Sequence, residues 1–143
     1  MGIRLDDEAR RHIAILVEQT GVSATDCIVD DAVVFVVAPD DMATAIGTGG
    51  GRVAALEERL GRPVVLVEDA ERPEDFVANA LAPAAVYDVT LEERDDEIVA
   101  VADVAAADVG VAIGEGGERV DRARRLVQRH FDVEDIAIES ASE

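Results

Sequence analysis

Apolar side chains are spaced along the chain so that both halves are predicted to contain the same elements in the same order. That order is a helix, two strands, a short helix, a second helix and a closing strand. In the first half, the opening helix is expected from Asp6 to Gln19 and the closing strand from Val64 to Glu68. In the second half, a helix is expected to begin at Pro73 and the closing strand to cover 136–139. The pattern predicts an α+β chain of two domains, residues 1–70 and 71–143.

A glycine-rich phrase separates the two inner helices of each half. Residues 45–53 read AIGTGGGRV and residues 112–120 read AIGEGGERV. Glycine clusters between helices allow a backbone to approach a ligand closely. A dinucleotide-binding fingerprint would need a third glycine where the chain has Arg52 and Arg119, and a triphosphate-binding loop would need a lysine, which the chain lacks. The pattern that remains in both copies is Ile-Gly-x-x-Gly-x-x-Val.

This motif resembles the signature loop of KH domains, whose Gly-x-x-Gly contacts the backbone of about four single-stranded nucleotides. The order of elements is similar to the prokaryotic type II form, in which each domain has a three-stranded sheet packed against helices. Two such units in tandem resemble the archaeal NusA-type transcription factor, and the ending from Arg124 to Asp135 adds to the likeness. The resemblance implies binding of single-stranded RNA and a role near RNA polymerase in elongation or termination.

The resemblance also implies which residues contact RNA. Such loops usually place a basic residue between the glycines, but this chain has Thr48 in the first loop and Glu115 in the second. An ionised Glu115 accepts hydrogen bonds only and should repel phosphate, so the first loop is the better candidate. The second loop would depend on its arginines and on the helix N-terminus. The expected RNA-binding residues are Ile46, Gly47, Thr48, Gly49, Gly50, Arg52, Val53, Ile113, Gly114, Glu115, Gly116, Gly117, Arg119 and Arg122.

The net charge of −19 comes from 32 acidic residues against 13 arginines. Salt at molar concentration screens such self-repulsion, so the composition is typical of a halophile's cytoplasmic protein. An acidic surface for a basic partner is the alternative. Five of the arginines lie between 119 and 129, and helical spacing predicts that 122, 125 and 129 share one face. Pairing of that face with the chain's own acids is an equally open interpretation.

The sequence contains few signals for a membrane segment, a metal site or catalysis. No apolar run has the length of a membrane span, and the residues at the start are acidic, which does not fit a signal peptide. The single Cys27 is expected to be buried and inert in a reducing cytoplasm. The two histidines are 118 residues apart, so we expect no metal site. No pair of nucleophile and base is evident, so we do not expect an enzyme. We also expect no cofactor and a monomer. The aromatic residues, all expected in the core, are Phe35, Phe76, Tyr87 and Phe131.

Two other functions remain open. The chain could be a protein-interaction module of the transcription or translation machinery, with degenerate KH folds whose loops only connect helices. It could also bind a small phosphate compound, as a binder or an enzyme.

Overall fold

The chain divides into two compact units in the computed structural model, which describes residues 3–141. The first unit ends at Asp69 and the second begins at Ala70. The expected domain boundary after residue 70 lies one residue further along.

The first unit contains three helices and a three-stranded sheet. In the sheet, the first strand is antiparallel to the second and the third is parallel to it, in the order β1-β2-β3. The elements are α1 (Asp7–Thr20), β1 (Asp26–Val29), β2 (Val33–Val37), α2 (Met42–Ile46), α3 (Gly51–Leu60) and β3 (Val64–Glu68).

Local chemistry sets the ends of these elements. Helix α1 begins where the side chain of Asp6 accepts the N–H of Ala9 at 2.7 Å, and it ends where Gly21 adopts a left-handed conformation. All five residues of the central strand β2 are buried. Phe35 of that strand and Leu56 of α3 belong to one apolar cluster, which fixes the helices on the sheet.

The second unit repeats this plan with longer strands. Its sheet has the order β4-β5-β6, antiparallel and then parallel. Phe76 is fully buried and its ring lies 5.3 Å from that of Phe131, measured between centroids. The elements are α4 (Pro73–Ala80), β4 (Val86–Arg94), β5 (Glu97–Val104), α5 (Val109–Ile113), α6 (Glu118–His130) and β6 (Asp135–Ser140).

One aromatic residue was placed wrongly by the alternation of apolar positions. The pairing of β4 with β5 shifts between Val86 and Asp88, so that Tyr87 has no partner in the register and its side chain is 69% exposed. A bulge of this kind turns a side chain away from the face that simple alternation predicts. Phe35, Phe76 and Cys27 are buried, as expected, and Phe131 is half-buried.

Within residues 3–141, no helix combines the length and the apolar character that a membrane crossing requires.

Candidate nucleic-acid interface

Each glycine loop joins a five-residue helix to a longer one. The first loop runs from the end of α2 at Ile46 to the start of α3 at Gly51, and the second from the end of α5 at Ile113 to the start of α6 at Glu118. The first N–H of each longer helix donates to a carbonyl of its own loop: Gly51 donates to Thr48, and Glu118 donates to Glu115.

The two loops have the same backbone conformation. Gly47 has φ 76° and ψ 171°, and Gly114 has φ 81° and ψ 168°. A Cβ added at Gly47 would lie 2.7 Å from Cγ of Arg52, and one added at Gly114 would lie 2.8 Å from the backbone nitrogen of Arg119. Glycine is therefore required at the first loop position by both its dihedral angles and its close neighbours.

Two further glycines in each loop are left-handed. In the first loop, φ is 62° at Gly49 and 76° at Gly50, and the N–H of Gly50 donates to the carbonyl of Gly47 at 3.2 Å. Gly116 and Gly117 repeat this geometry, with φ of 64° and 81°. A Cβ added at Gly49 or Gly50 would have nothing within 4 Å, so the outer side of the first loop is open to a ligand.

An open groove lies next to the first loop. It has a volume of about 350 Å³ and is formed by side chains of α2, α3 and the edge strand β3. Ile46 is 38% exposed there, which is a large apolar exposure in so charged a protein. The one acid of the groove, Glu57, accepts the N–H of Val64 at 2.8 Å and so joins α3 to β3. The groove is lined by Met42, Ile46, Gly50, Val53, Ala54, Glu57, Val64 and Leu66.

The corresponding place in the second unit holds a charged bridge. Asp121 occupies the position of Ala54, and Arg124 that of Glu57. The Arg124 guanidinium donates to Asp135 at 2.7 Å, to Asp121 at 2.8 Å and to the carbonyl of Ile136 at 3.1 Å. This bridge ties α6 to the start of β6 across the site where the first unit has its apolar groove.

The loops also differ in charge. Residues 46–54 contain one arginine and no acid, whereas residues 113–121 contain one arginine and three acids, Glu115, Glu118 and Asp121. A side-chain oxygen of Asp121 lies 3.6 Å from where a Cβ on Gly117 would be, so a carboxylate stands over the second loop. Negative charge at this position opposes the approach of phosphate.

The predicted arginine face is only partly exposed. Arg125 and Arg129 are exposed, but Arg122 is only 7% exposed, so the three arginines do not form one exposed face. Arg122 precedes the fully buried Leu126 by four residues, which puts both on the inward side of α6.

The other two predicted arginines follow the loops directly. Arg52 is exposed and donates to the carbonyl of Thr44 at 2.7 Å. Arg119 is half-buried and donates to the carbonyl of Val111.

Thus the structure brings together the predicted residues of each loop with those of the flanking helices, but in two separate units. The bridge through Arg124 was not predicted. The spacing of Asp121 and Arg124 by three residues was a usable signal for one of its bonds. The contact with Asp135, on the next element, carried no such signal. Among the described residues, no group of three or more His, Cys, Asp or Glu side chains is placed to hold a metal ion.

Known proteins are similar to this chain in both sequence and fold. Residues 73–141 match the family described as the NusA-like second KH domain. A protein of Halobacterium salinarum named probable transcription termination protein NusA is 55% identical over 139 residues, which are 96% of this chain and 99% of that protein. The chain belongs to the archaeal NusA family.

A second relative and a solved structure are also similar to this chain. The protein of the same name from Halococcus morrhuae is 52% identical over 96% of this chain and 99% of its own length. The crystal structure of APE1850 superposes with a TM-score of 0.82 at 33% identity and covers 94% of this chain and 100% of that one. These likenesses confirm the predicted α+β fold of tandem KH domains and the halophile-like character. The family name is that of a transcription termination protein, not of an enzyme.

Proposed function

We propose that this NusA-family chain binds single-stranded RNA during transcription elongation or termination, and that the first glycine loop with its groove supplies most of the affinity. The observation that carries the proposal is the placement of an acid-free glycine loop beside an open apolar groove. RNA polymerase is the expected partner in that process.

The first loop offers phosphate a backbone surface. Gly49 and Gly50 have no side chain and no atoms within 4 Å of where a Cβ would lie, so a phosphate can come close to the backbone of the loop and to the positive end of the α3 dipole. Thr48 is exposed and adds a hydroxyl donor. None of these contacts requires a lysine.

The groove offers the bases an apolar surface. Ile46 and Val53 lie on its two helices, and the edge strand β3 lies opposite them. Unstacked bases lose apolar exposure when they settle on such side chains. Single-stranded RNA presents splayed bases next to its phosphates, which fits a loop with a groove beside it.

Both kinds of contact suit a salt-rich solvent. Affinity that comes from neutralising phosphate charges falls as salt rises, because each released counterion gains less entropy in a more concentrated solution. Backbone hydrogen bonds and apolar contacts depend less on salt. A chain with a net charge of −19 can therefore bind RNA in concentrated salt if few charges take part.

The test is the double variant Thr48→Asp with Gly49→Asp. Two carboxylates at the loop should weaken binding of a fluorescent single-stranded RNA by about a hundredfold, measured by anisotropy in potassium chloride at about 2 M, where screening reaches only a few ångströms. The control is Glu115→Asp with Gly116→Asp, which places the same residues on the same backbone conformation of the second loop and adds one negative charge where the test variant adds two. Unchanged affinity in the first variant, with its fold intact by circular dichroism, would contradict the site.

A second function is favoured by the bridge in the other unit. The carboxylates around Gly117 and the bonds of Arg124 make that loop a poor phosphate site, which suits a surface for a basic protein partner. Stable co-purification with RNA polymerase subunits after nuclease treatment would support this function for the second unit. Loss of the complex on nuclease treatment would show that RNA alone connects them.

A further inference from the structure

An arginine five residues after the first glycine of each loop makes the same contact in both units. Nη1 of Arg52 donates to the carbonyl of Thr44 at 2.7 Å, and Nη1 of Arg119 donates to the carbonyl of Val111. Each accepting carbonyl belongs to the short helix before the loop, eight residues back along the chain. The last carbonyls of a helix have no partner within it, so the arginine satisfies a group that the helix leaves open.

The stem of each arginine also covers the first glycine of its loop. The position of a Cβ on Gly47 is 2.7 Å from Cγ and 3.0 Å from Cβ of Arg52. The position of a Cβ on Gly114 is 2.9 Å from Cβ of Arg119. The arginine thus occupies the space that a side chain on the glycine would take. The arginine and the glycine are two parts of one arrangement, and that arrangement occurs twice.

The arrangement closes the ends of the loop on each other. The N–H of Gly47 donates to the carbonyl of Ala43 at 3.0 Å. The guanidinium of Arg52 donates to the next carbonyl along the chain, that of Thr44. The helix before the loop is therefore joined both to the loop and to the first turn of the helix after it. Four of the five residues from Gly47 to Gly51 are glycines, so this loop has much conformational freedom to lose, with or without RNA.

We propose that Arg52 and Arg119 are positioning residues that hold the glycine loops in their binding conformation, rather than partners of phosphate. For Arg52 the effect on RNA rests on the function proposed above, whereas the effect on the loop does not. A preorganised loop binds more tightly because it loses little conformational entropy when RNA binds. The family resemblance, by contrast, implies that both arginines contact RNA.

Two measurements separate the roles of Arg52. The first is amide hydrogen exchange without RNA, followed by NMR at Gly47 and Gly50, whose N–H groups are bonded within the loop. In Arg52→Ala these amides should exchange at least about threefold faster, because local opening becomes easier. The second is the dependence of RNA affinity on salt. Affinity should fall by about three- to tenfold at every salt concentration, with an unchanged slope.

The loss of a phosphate contact would give the opposite pattern. The slope of log affinity against log salt would become shallower by about 0.7, the value for one charge on a single strand, and loop exchange would stay as in the wild type. That pair of results would overturn the proposal. If the wild type binds no RNA, the proposed function fails, while the exchange result still decides the role of the arginine.

Control variants are available in the same chain. Arg59→Ala removes the same charge from the same helix, but its guanidinium pairs with Glu18 at 3.3 Å and lies away from the loop, so loop exchange should not change. Arg119→Ala should speed exchange at Gly114 and Gly117 in the second unit. If Arg52→Ala does not fold, Arg52→Met keeps the apolar stem over Gly47 and removes only the donor. It should still speed exchange, though less, and wild-type exchange in this variant would contradict the proposal.

Discussion

The two glycine loops share a backbone conformation and an equally exposed isoleucine, Ile46 or Ile113, but differ in charge and in the side chains beside them. Corresponding φ angles agree within 5°, from 76° against 81° at the first glycine to 62° against 64° at the third position. Yet the first loop borders an apolar groove, and the second lies beneath a carboxylate and beside the bridge of Arg124. The comparison teaches that loop conformation and ligand chemistry are specified by different residues.

The residues that fix the conformation are those common to both copies. Three left-handed glycines and one arginine recur at the same positions, and each is explained by a dihedral angle or a close approach. The positions that differ, such as Thr48 against Glu115, point outward and do not affect the backbone. A duplicated motif can therefore keep its shape while its binding chemistry changes.

Transferring the charges of the second loop to the first should have the largest effect. The variant Thr48→Glu, Gly51→Glu, Ala54→Asp gives residues 46–54 the acids of residues 113–121. Gly51 has an ordinary helical conformation with open space around it, so the fold should be retained. Binding of single-stranded RNA should weaken by at least about thirtyfold in anisotropy titrations, through repulsion between carboxylates and phosphate. Wild-type affinity would show that the charges do not separate the two loops.

The reverse exchange should have a smaller effect, and is best seen when the first loop has been disabled by Thr48→Asp with Gly49→Asp. In that background, Glu115→Thr, Glu118→Gly and Asp121→Ala should restore about three- to tenfold of the lost affinity, because phosphate is no longer repelled. Recovery stays incomplete since Arg124 remains bonded to Asp135. The same anisotropy titration measures the recovered affinity. No recovery at all would mean that the RNA affinity of the second unit is limited by the lack of an apolar groove and not by the charge of its loop.

Removing the side chains that join helix to strand should change the stability of each unit and not the charge of its loop. Arg124→Ala loses three hydrogen bonds in the second unit, and we expect a loss of about 1–2 kcal/mol in the free energy of unfolding. Glu57→Ala loses a single bond in the first unit, to the N–H of Val64, and should lose about 0.5–1 kcal/mol. Urea unfolding at constant high salt measures both. Equal losses would mean that the bridge contributes no more than the single bond.

Much of the fold could be predicted because each element has a local signal. Strand β3 was predicted with its observed ends, and α4 begins at Pro73 as predicted. The failures came where a contact overrides the pattern. Tyr87 is exposed at a bulge, which the alternation of apolar and polar residues does not reveal. Arg122 is buried because it lies on the same face of α6 as Leu126.

The candidate site shows the same division. The glycines could be found because a repeated Gly-x-x-Gly has few other uses. The groove beside the first loop could not, because it needs side chains from α2, α3 and β3, which only folding brings to one place. The roles of Arg52 and Arg124 also stayed hidden, since a sequence shows the charge of an arginine and not the acceptor it reaches.

The sequence by itself determined the tandem α+β plan, the two loops and the excess of acid, because periodicity, glycine content and charge are properties of residues and their spacing. Only the tertiary structure decided which loop stands beside an open groove, which arginines are occupied within the protein and which aromatic side chain faces solvent. Those properties depend on distances of a few ångströms between residues from different elements. Packing sets such distances, and the spacing of residues along the chain does not.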